Sequence, residues 1–390
     1  GGEQFPPPAR LQGGRVVPGS FRIGKLLGIP LQLNISWFII FALVTFSLVA
    51  GQFPAQYPFW SRETYLIAGL ATSLLFFGSV VIHELSHSIV ARYIGLPVKS
   101  ITLFIFGGVA QISRDASRPA GELVMAAAGP FSSFVLAGAF TIVWAIARSI
   151  HEPTTALAGW LALINFSLGA FNLLPGFPMD GGRILRSLIW WATGSQGTAT
   201  KIAVSIGHVI AYLMLLGGIL LVVFNPHLLF SGIWLMFIGW FLNQAATGSA
   251  HHARIRDALH GYSAGDLMST NFQSVPEDLT IEELLRQRIA AGPRSWFLVV
   301  QGPFLRGLLN LRDVRKVPRR RWSDTQIASV MQPIQKLGTV SPQVEALEVL
   351  EEMDEKEVQE LPVVEQGTLV GVVTRASLLR AAQLRHEFGF

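Results

Sequence analysis

The sequence predicts a polytopic α-helical membrane protein of about six transmembrane helices with a membrane-associated β-hairpin, followed by a soluble α/β domain. Three observations indicate this organisation. The 390 residues are 51% hydrophobic and only 14% charged, well below the usual charge of soluble proteins. Of the 25 acidic residues, only 7 lie in residues 1–250. The remaining residues, 251–390, contain an internal repeat of short β-rich runs and amphipathic helices. We therefore place a domain boundary at residue 250.

Six apolar stretches are long enough to cross a hydrocarbon core of about 30 Å, which takes roughly 20 helical residues. They lie near residues 32–52, 64–94, 122–150, 156–175, 202–224 and 228–247. Lys and Arg in the connecting loops divide 11 to 2 between the two sides. Because the basic side normally faces the cytoplasm, both termini and the soluble domain are predicted to be cytoplasmic.

Residues 101–113, between the second and third stretches, predict two short strands around a turn at Gly107 and Gly108. Irregular backbone at membrane depth is tolerated only against protein or a water-filled cavity. The alternative is a plain surface loop.

The segment His83-Glu84-Leu85-Ser86-His87 ends the second apolar stretch. Four residues apart on a helix, His83 and His87 share one face and can bind one metal ion. Glu84 lies beside them, where it can accept a proton from water at the metal. A carboxylate inside an apolar span is costly, which favours a functional role. The structural alternative for Glu84 is a buried ion pair with Arg92.

A catalytic zinc usually has three protein ligands, and the segment 171–183 (FNLLPGFPMDGGR) offers the third. Pro175 and Pro178 end the fourth span, and Asp180 is predicted to cap the next short helix. Capping alone is the alternative to metal binding, although one carboxylate can serve both. The span-five histidine, His208, is predicted to be packed or hydrogen-bonded.

A metal ion, a neighbouring general base and a carboxylate as the third metal ligand together form a site that can hydrolyse a peptide bond. The substrate must be extended, since a helix hides its carbonyl groups. Gly107 and Gly108 would lie on an edge strand that could bind such a substrate by β-augmentation. Asn172 could donate to the substrate backbone or to the developing oxyanion. An interhelical hydrogen bond is an equally open role for Asn172.

These motifs resemble the site-2 protease family of intramembrane metalloproteases over about residues 20–250. The matching segments are HELSH at 83–87, FGGVA at 106–110, AAGP at 127–130 and NLLPGFPMDGGR at 172–183. The resemblance implies one zinc ion held by His83, His87 and Asp180, with Glu84 as the general base. It also implies regulated intramembrane proteolysis in a bacterial or archaeal plasma membrane, with membrane-anchored substrates of the anti-sigma factor type.

The C-terminal repeat looks like a tandem pair of CBS domains, with copies at about 264–318 and 327–385. Such pairs commonly bind adenine nucleotides and form homodimers, so the resemblance implies ATP or a related nucleotide as a ligand. The usual signature is a Thr or Ser followed by a ribose-binding Asp. The first copy keeps Asp313 but has Asn310 in place of the Thr. The second keeps Thr374 but has Ser377 in place of the Asp. We therefore expect one nucleotide site at most.

Other function classes remain as alternatives. An ion transporter or channel gated by the CBS pair would use His83, Glu84 and His87 as an ion path, but transport predicts polar residues along several spans and internal symmetry. An inactive relative acting as a scaffold would have no need for all four catalytic positions. The absence of cysteine excludes thiolate chemistry and disulfides. No nucleic-acid partner is expected, because the excess of positive charge lies in the membrane half.

Overall fold

The computed structural model describes residues 19–105, 107–112, 116–272, 274–288, 296–302, 304–334, 338–356, 358–366 and 368–388. They form two compact units, Gly1–Ala250 and His251–Phe390. Outside the described ranges lie Phe106 and Ser113 of the predicted hairpin segment, and three of the eleven loop residues counted on the basic side, Arg10, Arg15 and Arg114.

Six helical segments of the first unit are long and apolar enough to cross a membrane, as the sequence predicts. The helices that build them are α1 (Ile35–Ser47) with α2 (Phe53–Gln56), α3 (Arg62–Tyr93), α4 (Pro119–Ala147), α5 (Glu152–Asn172), α7 (Gln196–Phe224) and α8 (Leu229–Leu259). A shorter helix, α6 (Asp180–Thr193), lies between α5 and α7. Large apolar side chains on the spans, such as Phe46 and Phe131, are exposed. Lipid tails are the expected surroundings for such side chains.

A four-stranded sheet accompanies the helices, in the order β1 (Ser20–Leu26), β2 (Ile29–Asn34), β3 (Val98–Phe104) and β4 (Gly107–Ile112). The predicted hairpin is therefore present as β3 and β4, but its turn is not at the glycines. Phe104 pairs with Gly107, so Gly107 and Gly108 lie in β4, an edge strand.

Strands β1 and β2 were not predicted from the sequence. They form a tight hairpin whose turn residues, Leu27 and Gly28, both have positive φ. β2 pairs in parallel with β3, a contact between residues 70 positions apart in the chain. The first span begins only at Ile35, because Asn34 caps α1 by accepting a hydrogen bond from the Ser36 amide at 3.1 Å.

Helix α6 begins where the chain leaves a Pro-containing loop that packs tightly against α7. The Phe177 amide donates to the Ala203 carbonyl at 3.2 Å. Gly182 and Gly207 permit this close approach, since a Cβ at either position would overlap the loop backbone. The prediction that Asp180 caps α6 is wrong. Met179 occupies the cap position without a side-chain bond, and Asp180 is the first helical residue. Its carboxylate points to α3 instead.

The second unit is built from two copies of a helix–strand–strand–helix pattern. The first copy and its neighbours contain α9 (Ala264–Leu267), β5 (Ser274–Pro276), α10 (Ile281–Arg288), β6 (Trp296–Gln301), β7 (Phe304–Asn310), α11 (Leu311–Val314) and β8 (Gln332–Pro333). The second contains α12 (Ala346–Lys356), β9 (Glu360–Glu365), β10 (Thr368–Thr374) and α13 (Arg375–Phe388). The repeated pattern is α10–β6–β7–α11 in the first copy and α12–β9–β10–α13 in the second. One buried apolar cluster includes Leu298 and Leu308 of the first copy with Val363 and Val372 of the second, so the copies share a core.

Candidate metal centre

Three ligand-type side chains from two helices meet in the interior of the membrane unit. The Nε2 atoms of His83 and His87, both on α3, lie 3.3 Å apart. Each lies 3.2 Å from Oδ2 of Asp180, the first residue of α6. Both imidazoles are buried, and Asp180 is nearly so. Sequence separation between the histidines and the aspartate is almost 100 residues, so only the fold brings them together.

The outer nitrogens of both imidazoles are held by α4. His87 Nδ1 lies 2.7 Å from the Met125 carbonyl oxygen, and His83 Nδ1 lies 2.9 Å from Ser133 Oγ. A carbonyl can only accept, so His87 carries a proton on Nδ1 and presents an Nε2 lone pair when neutral. This arrangement, an outer partner that fixes the ring while the inner nitrogen faces a metal, is typical of metal-binding histidines.

Gly129 completes the face that α4 presents to the histidines. Met125, Gly129 and Ser133 follow each other at intervals of four residues, so they lie on one side of the helix. A Cβ at position 129 would lie 2.6 Å from His83 Nε2 and would overlap His87 Nε2. The glycine thus keeps open the space next to both ligand nitrogens. The sequence signal for this residue was a glycine in an apolar span, within the AAGP segment.

The spacing of the three ligand atoms fits a tetrahedral zinc ion. With bonds of about 2.0–2.1 Å, two ligands of such an ion are about 3.3 Å apart. The three separations here are 3.2, 3.2 and 3.3 Å. Two imidazoles and one carboxylate are also a donor set that zinc accepts, and three ligands leave a fourth position for water or substrate.

Glu84 lies next to this cluster, with its carboxylate directed at β4. Oε2 accepts a hydrogen bond from the Ala110 amide at 3.1 Å. Among the described residues Glu84 forms no ion pair with Arg92, which donates to the Leu27 carbonyl. Gly108 makes room for the carboxylate, since a Cβ there would overlap Cγ of Glu84.

A cavity of about 610 Å³ opens onto the cluster. Its apolar walls come from the first, second, fourth and last spans, and its polar lining is short: His83, Glu84, His87, Asn172, Asp180, Arg183 and the backbone of β4. The cavity therefore brings the predicted metal ligands, Glu84, Asn172, Gly107 and Gly108 to one space. Sequence reasoning did not single out Arg183 as a site residue.

Among the described residues, Asn172 does not form the interhelical hydrogen bond that the sequence left open as its role. Its Nδ2 donates to the Leu168 carbonyl of its own helix at 2.9 Å. The amide has a second hydrogen and an oxygen for a ligand in the cavity. His208 is hydrogen-bonded through Nδ1 to Asn243 Oδ1 at 2.8 Å, which agrees with its predicted structural role.

A buried ion pair joins the helix that supports the histidines to the helix that carries Asp180. Glu122, on the first turn of α4, accepts from Arg186 of α6, with Nε at 2.8 Å and Nη2 as a second donor. Arg183 Nε lies 3.6 Å from the same oxygen. Glu122 is fully buried, so its charge needs the hydrogen-bonded guanidinium of Arg186.

The predicted nucleotide residues of the second unit have intramolecular partners. Asp313 accepts from Lys316 Nζ at 2.6 Å. Thr374 Oγ1 accepts from the Ser377 amide at 3.0 Å and so caps α13. Asn310 caps α11 in the same way. Burial raises the pKa of Glu360, and the guanidinium of Arg312 in the first copy opposes the rise. The two copies thus place opposite charges near each other.

Comparison with known proteins identifies the family of this chain. The family model described as "Peptidase family M50" matches residues 71–149 and 145–216. A zinc metalloprotease of Methanocaldococcus jannaschii is 31% identical over 365 residues, 94% of this chain and 96% of the relative. A protein of Synechocystis sp. that also carries the name zinc metalloprotease is 38% identical over 376 residues, 95% of this chain and 97% of the relative.

The chain belongs to peptidase family M50. It is a metalloprotease of the site-2 protease type, and zinc is the metal that this family implies. The model described as "CBS domain" matches residues 264–320 and 327–384 of this M50 peptidase, so its second unit is a tandem CBS pair. Among solved structures, a site-2 protease from Methanocaldococcus jannaschii is 33% identical with a TM-score of 0.41, covering 59% of this chain and 95% of that one.

Proposed function

We propose that this M50 peptidase hydrolyses peptide bonds of membrane-anchored proteins, with one zinc ion held by His83, His87 and Asp180. The observation that carries the proposal is the convergence of three ligand atoms at tetrahedral spacing beside Glu84, in a cavity among apolar helices. An active site within the bilayer suits substrates that are themselves embedded there, as in regulated intramembrane proteolysis.

Each polar residue of the cavity has a distinct role in this proposal. Zinc at the site supplies a Lewis acid that polarises a carbonyl group and lowers the pKa of water. Glu84 accepts the proton of the attacking water and returns it to the leaving amine. Asn172 donates its remaining amide hydrogen to the oxyanion of the tetrahedral intermediate. Ser133 and Met125 hold the two imidazoles in place.

Strand β4 binds the substrate as an added strand. The Ala110 amide points away from β3, because it donates to Glu84. Residues of an edge strand alternate in direction, so the Gly108 amide points the same way, into the cavity. An extended substrate segment can pair with the Gly108 amide and place its scissile carbonyl beside the ligand cluster.

The test is metal content and cleavage of a transmembrane reporter in liposomes, with native protein and the Glu84→Gln variant. We expect about one zinc per chain in both and cleavage only by the native protein. Glu63→Gln is the matched control, since Glu63 is an exposed glutamate on the same helix. Cleavage by Glu84→Gln at the native rate would overturn the assignment of the base.

We also propose that the CBS pair and both termini lie in the cytoplasm, which the 11 to 2 division of loop Lys and Arg supports. The chain has no cysteine, so single cysteines report topology directly. Ser149→Cys, between α4 and α5, should react with an impermeant maleimide on intact cells. Ser323→Cys, in the second unit, should react only after permeabilisation. The reverse pattern would invert the topology.

We further propose that an adenine nucleotide binds the CBS pair near Asp313 and Thr374 and regulates cleavage, and that the pair supports a homodimer. Titration of the full chain with ATP tests the binding of the nucleotide. Asp313→Ala should weaken ATP binding at least tenfold, whereas Asp324→Ala, an exposed control, should not. Equal affinity in both variants would remove Asp313 from the site. Size-exclusion chromatography with light scattering would detect the dimer.

A further inference from the structure

Arg183 is the one cationic side chain among the described residues that line the catalytic cavity. It lies one turn after Asp180 on α6, so the two side chains share a face of the helix. About a quarter of its side chain is exposed. A partly exposed guanidinium that lines a cavity in a membrane-spanning unit is a candidate ligand-binding group, because charged side chains within a membrane are costly unless an opposite charge pairs with them.

Arg183 is not hydrogen-bonded to Glu122, although Oε2 of that buried carboxylate has no hydrogen-bond partner among the described residues. Arg186 already donates two hydrogen bonds to Glu122 and is itself buried. The 3.6 Å separation between Arg183 Nε and Glu122 Oε1 is too long for a hydrogen bond. Within the described residues, Arg183 makes no other ion pair, so its fork of donors remains for a ligand.

The charged groups around the cavity, counted together with the proposed zinc ion, have a net positive charge that one anion would neutralise. Among the described residues of this region, the carboxylates are those of Glu84, Asp180 and Glu122, and the guanidinium groups are those of Arg183 and Arg186. With the divalent zinc of the proposed function, on which this step rests, the cations exceed the carboxylates by one charge. A single ligand carboxylate in the cavity would neutralise that excess.

We propose that Arg183 binds a carboxylate of the peptide in the catalytic cavity. Hydrolysis creates such a group on the N-terminal fragment, and the fork of an arginine matches a carboxylate in a bidentate contact. An acidic side chain of the substrate has the same chemistry. Arg183 is thus a substrate- or product-binding residue, separate from the metal ligands and from Glu84.

The experiment measures peptide binding to the zinc-loaded Glu84→Gln protein, which cannot turn the peptides over. Three fluorescent apolar peptides of equal length are compared: one with a C-terminal acid, one with a C-terminal amide, and an amide with one internal Glu. A carboxylate that Arg183 binds should tighten affinity roughly tenfold to a hundredfold over the neutral amide. A preference for the C-terminal acid identifies the product carboxylate, and a preference for the internal Glu identifies a substrate side chain.

In the Arg183→Gln background the preference should fall below about threefold, and Arg183→Lys should keep part of it. Arg148→Gln, an exposed arginine at the far end of α4, is the control for net charge and should keep all of it. Equal binding of all three peptides to the Glu84→Gln protein that retains Arg183 would overturn the inference. Failure of every peptide to bind, in every variant, would instead count against the proposed function.

Discussion

Gly129 of α4 lies directly against His87 of α3, in the space that separates the helix backbone from the ligand nitrogen. His83 is almost as near, with its Nε2 at 2.6 Å from the position of an added Cβ. His87 cannot easily retreat, because its other nitrogen is bonded to the Met125 carbonyl oxygen. The geometry of the metal centre therefore depends on the absence of a side chain at position 129.

Gly129→Ala should bind zinc at least a hundredfold more weakly, because its methyl group displaces both ligand nitrogens. Gly138→Ala, on the same helix with open space around it, is the control. It should retain zinc and gain roughly 0.5–1 kcal/mol of stability, since alanine favours helix over glycine. Competition with a chelator of known affinity measures the zinc binding of both variants. Native zinc affinity in Gly129→Ala would contradict the close packing of Gly129 against His83 and His87.

Gly108→Ala should have the opposite phenotype, with zinc retained and cleavage lost. The methyl group would overlap Cγ of Glu84 and move the base away from its position. Gly78→Ala, on α3 with nothing within 4 Å, should cleave normally. Zinc content and single-turnover cleavage of the reporter distinguish the two variants. An active Gly108→Ala enzyme would show that Glu84 tolerates displacement.

The zinc affinity of Asp180→Ala should be at least a hundredfold lower than that of the native protein. The substitution removes one of three ligands and leaves two histidines four residues apart. Asp257→Ala, an exposed aspartate on α8, is the control and should bind zinc like the native protein. The measurement is zinc per chain after equilibration with buffered metal. If Asp180→Ala held zinc as tightly as the control, the carboxylate would have only a structural role on α6.

Asn172→Ala should lower kcat by about 10²–10³, the usual loss on removing one oxyanion donor, with a smaller change in KM. Asn165→Ala is a closely matched control. Both asparagines lie on α5, and both donate Nδ2 to the carbonyl four residues earlier. Only Asn172 lines the cavity. Equal loss of kcat in the two variants would indicate a helix-packing role in place of a catalytic one.

Glu122→Gln should reduce the free energy of unfolding by about 3–5 kcal/mol, since it leaves the buried Arg186 without this carboxylate. The exposed pair of Glu282 and Arg286 is the comparison. Glu282→Gln should change stability by no more than about 0.5 kcal/mol, because exposed pairs are solvated in both states. Thermal unfolding in detergent measures the difference. A negligible effect in Glu122→Gln would mean that water reaches Arg186.

The candidate site was predictable where its chemistry is local. His83, Glu84 and His87 follow from helical periodicity, and their position at the end of an apolar span suggested function. The local pattern made Asp180 a candidate ligand with capping as the alternative, and only the family resemblance implied that it binds the metal, because its distance from α3 is not encoded locally. Arg183 had no local signal, since an arginine in the first turn of a short amphipathic helix is most often a solvated residue.

The sequence by itself determined the spans, the CBS repeat and the ligand-type residues, since hydropathy and periodicity depend on neighbours within a few turns. Only the tertiary structure decided which residues meet. The parallel pairing of β2 with β3 is non-local, and the local pattern of residues 32–34 reads as the start of a span. The hairpin turn moved off Gly107 and Gly108 because strand register depends on pairing partners. The support of both histidines by α4, and the contact of Asp180 with them, arise from helix packing that brings together residues up to almost 100 positions apart.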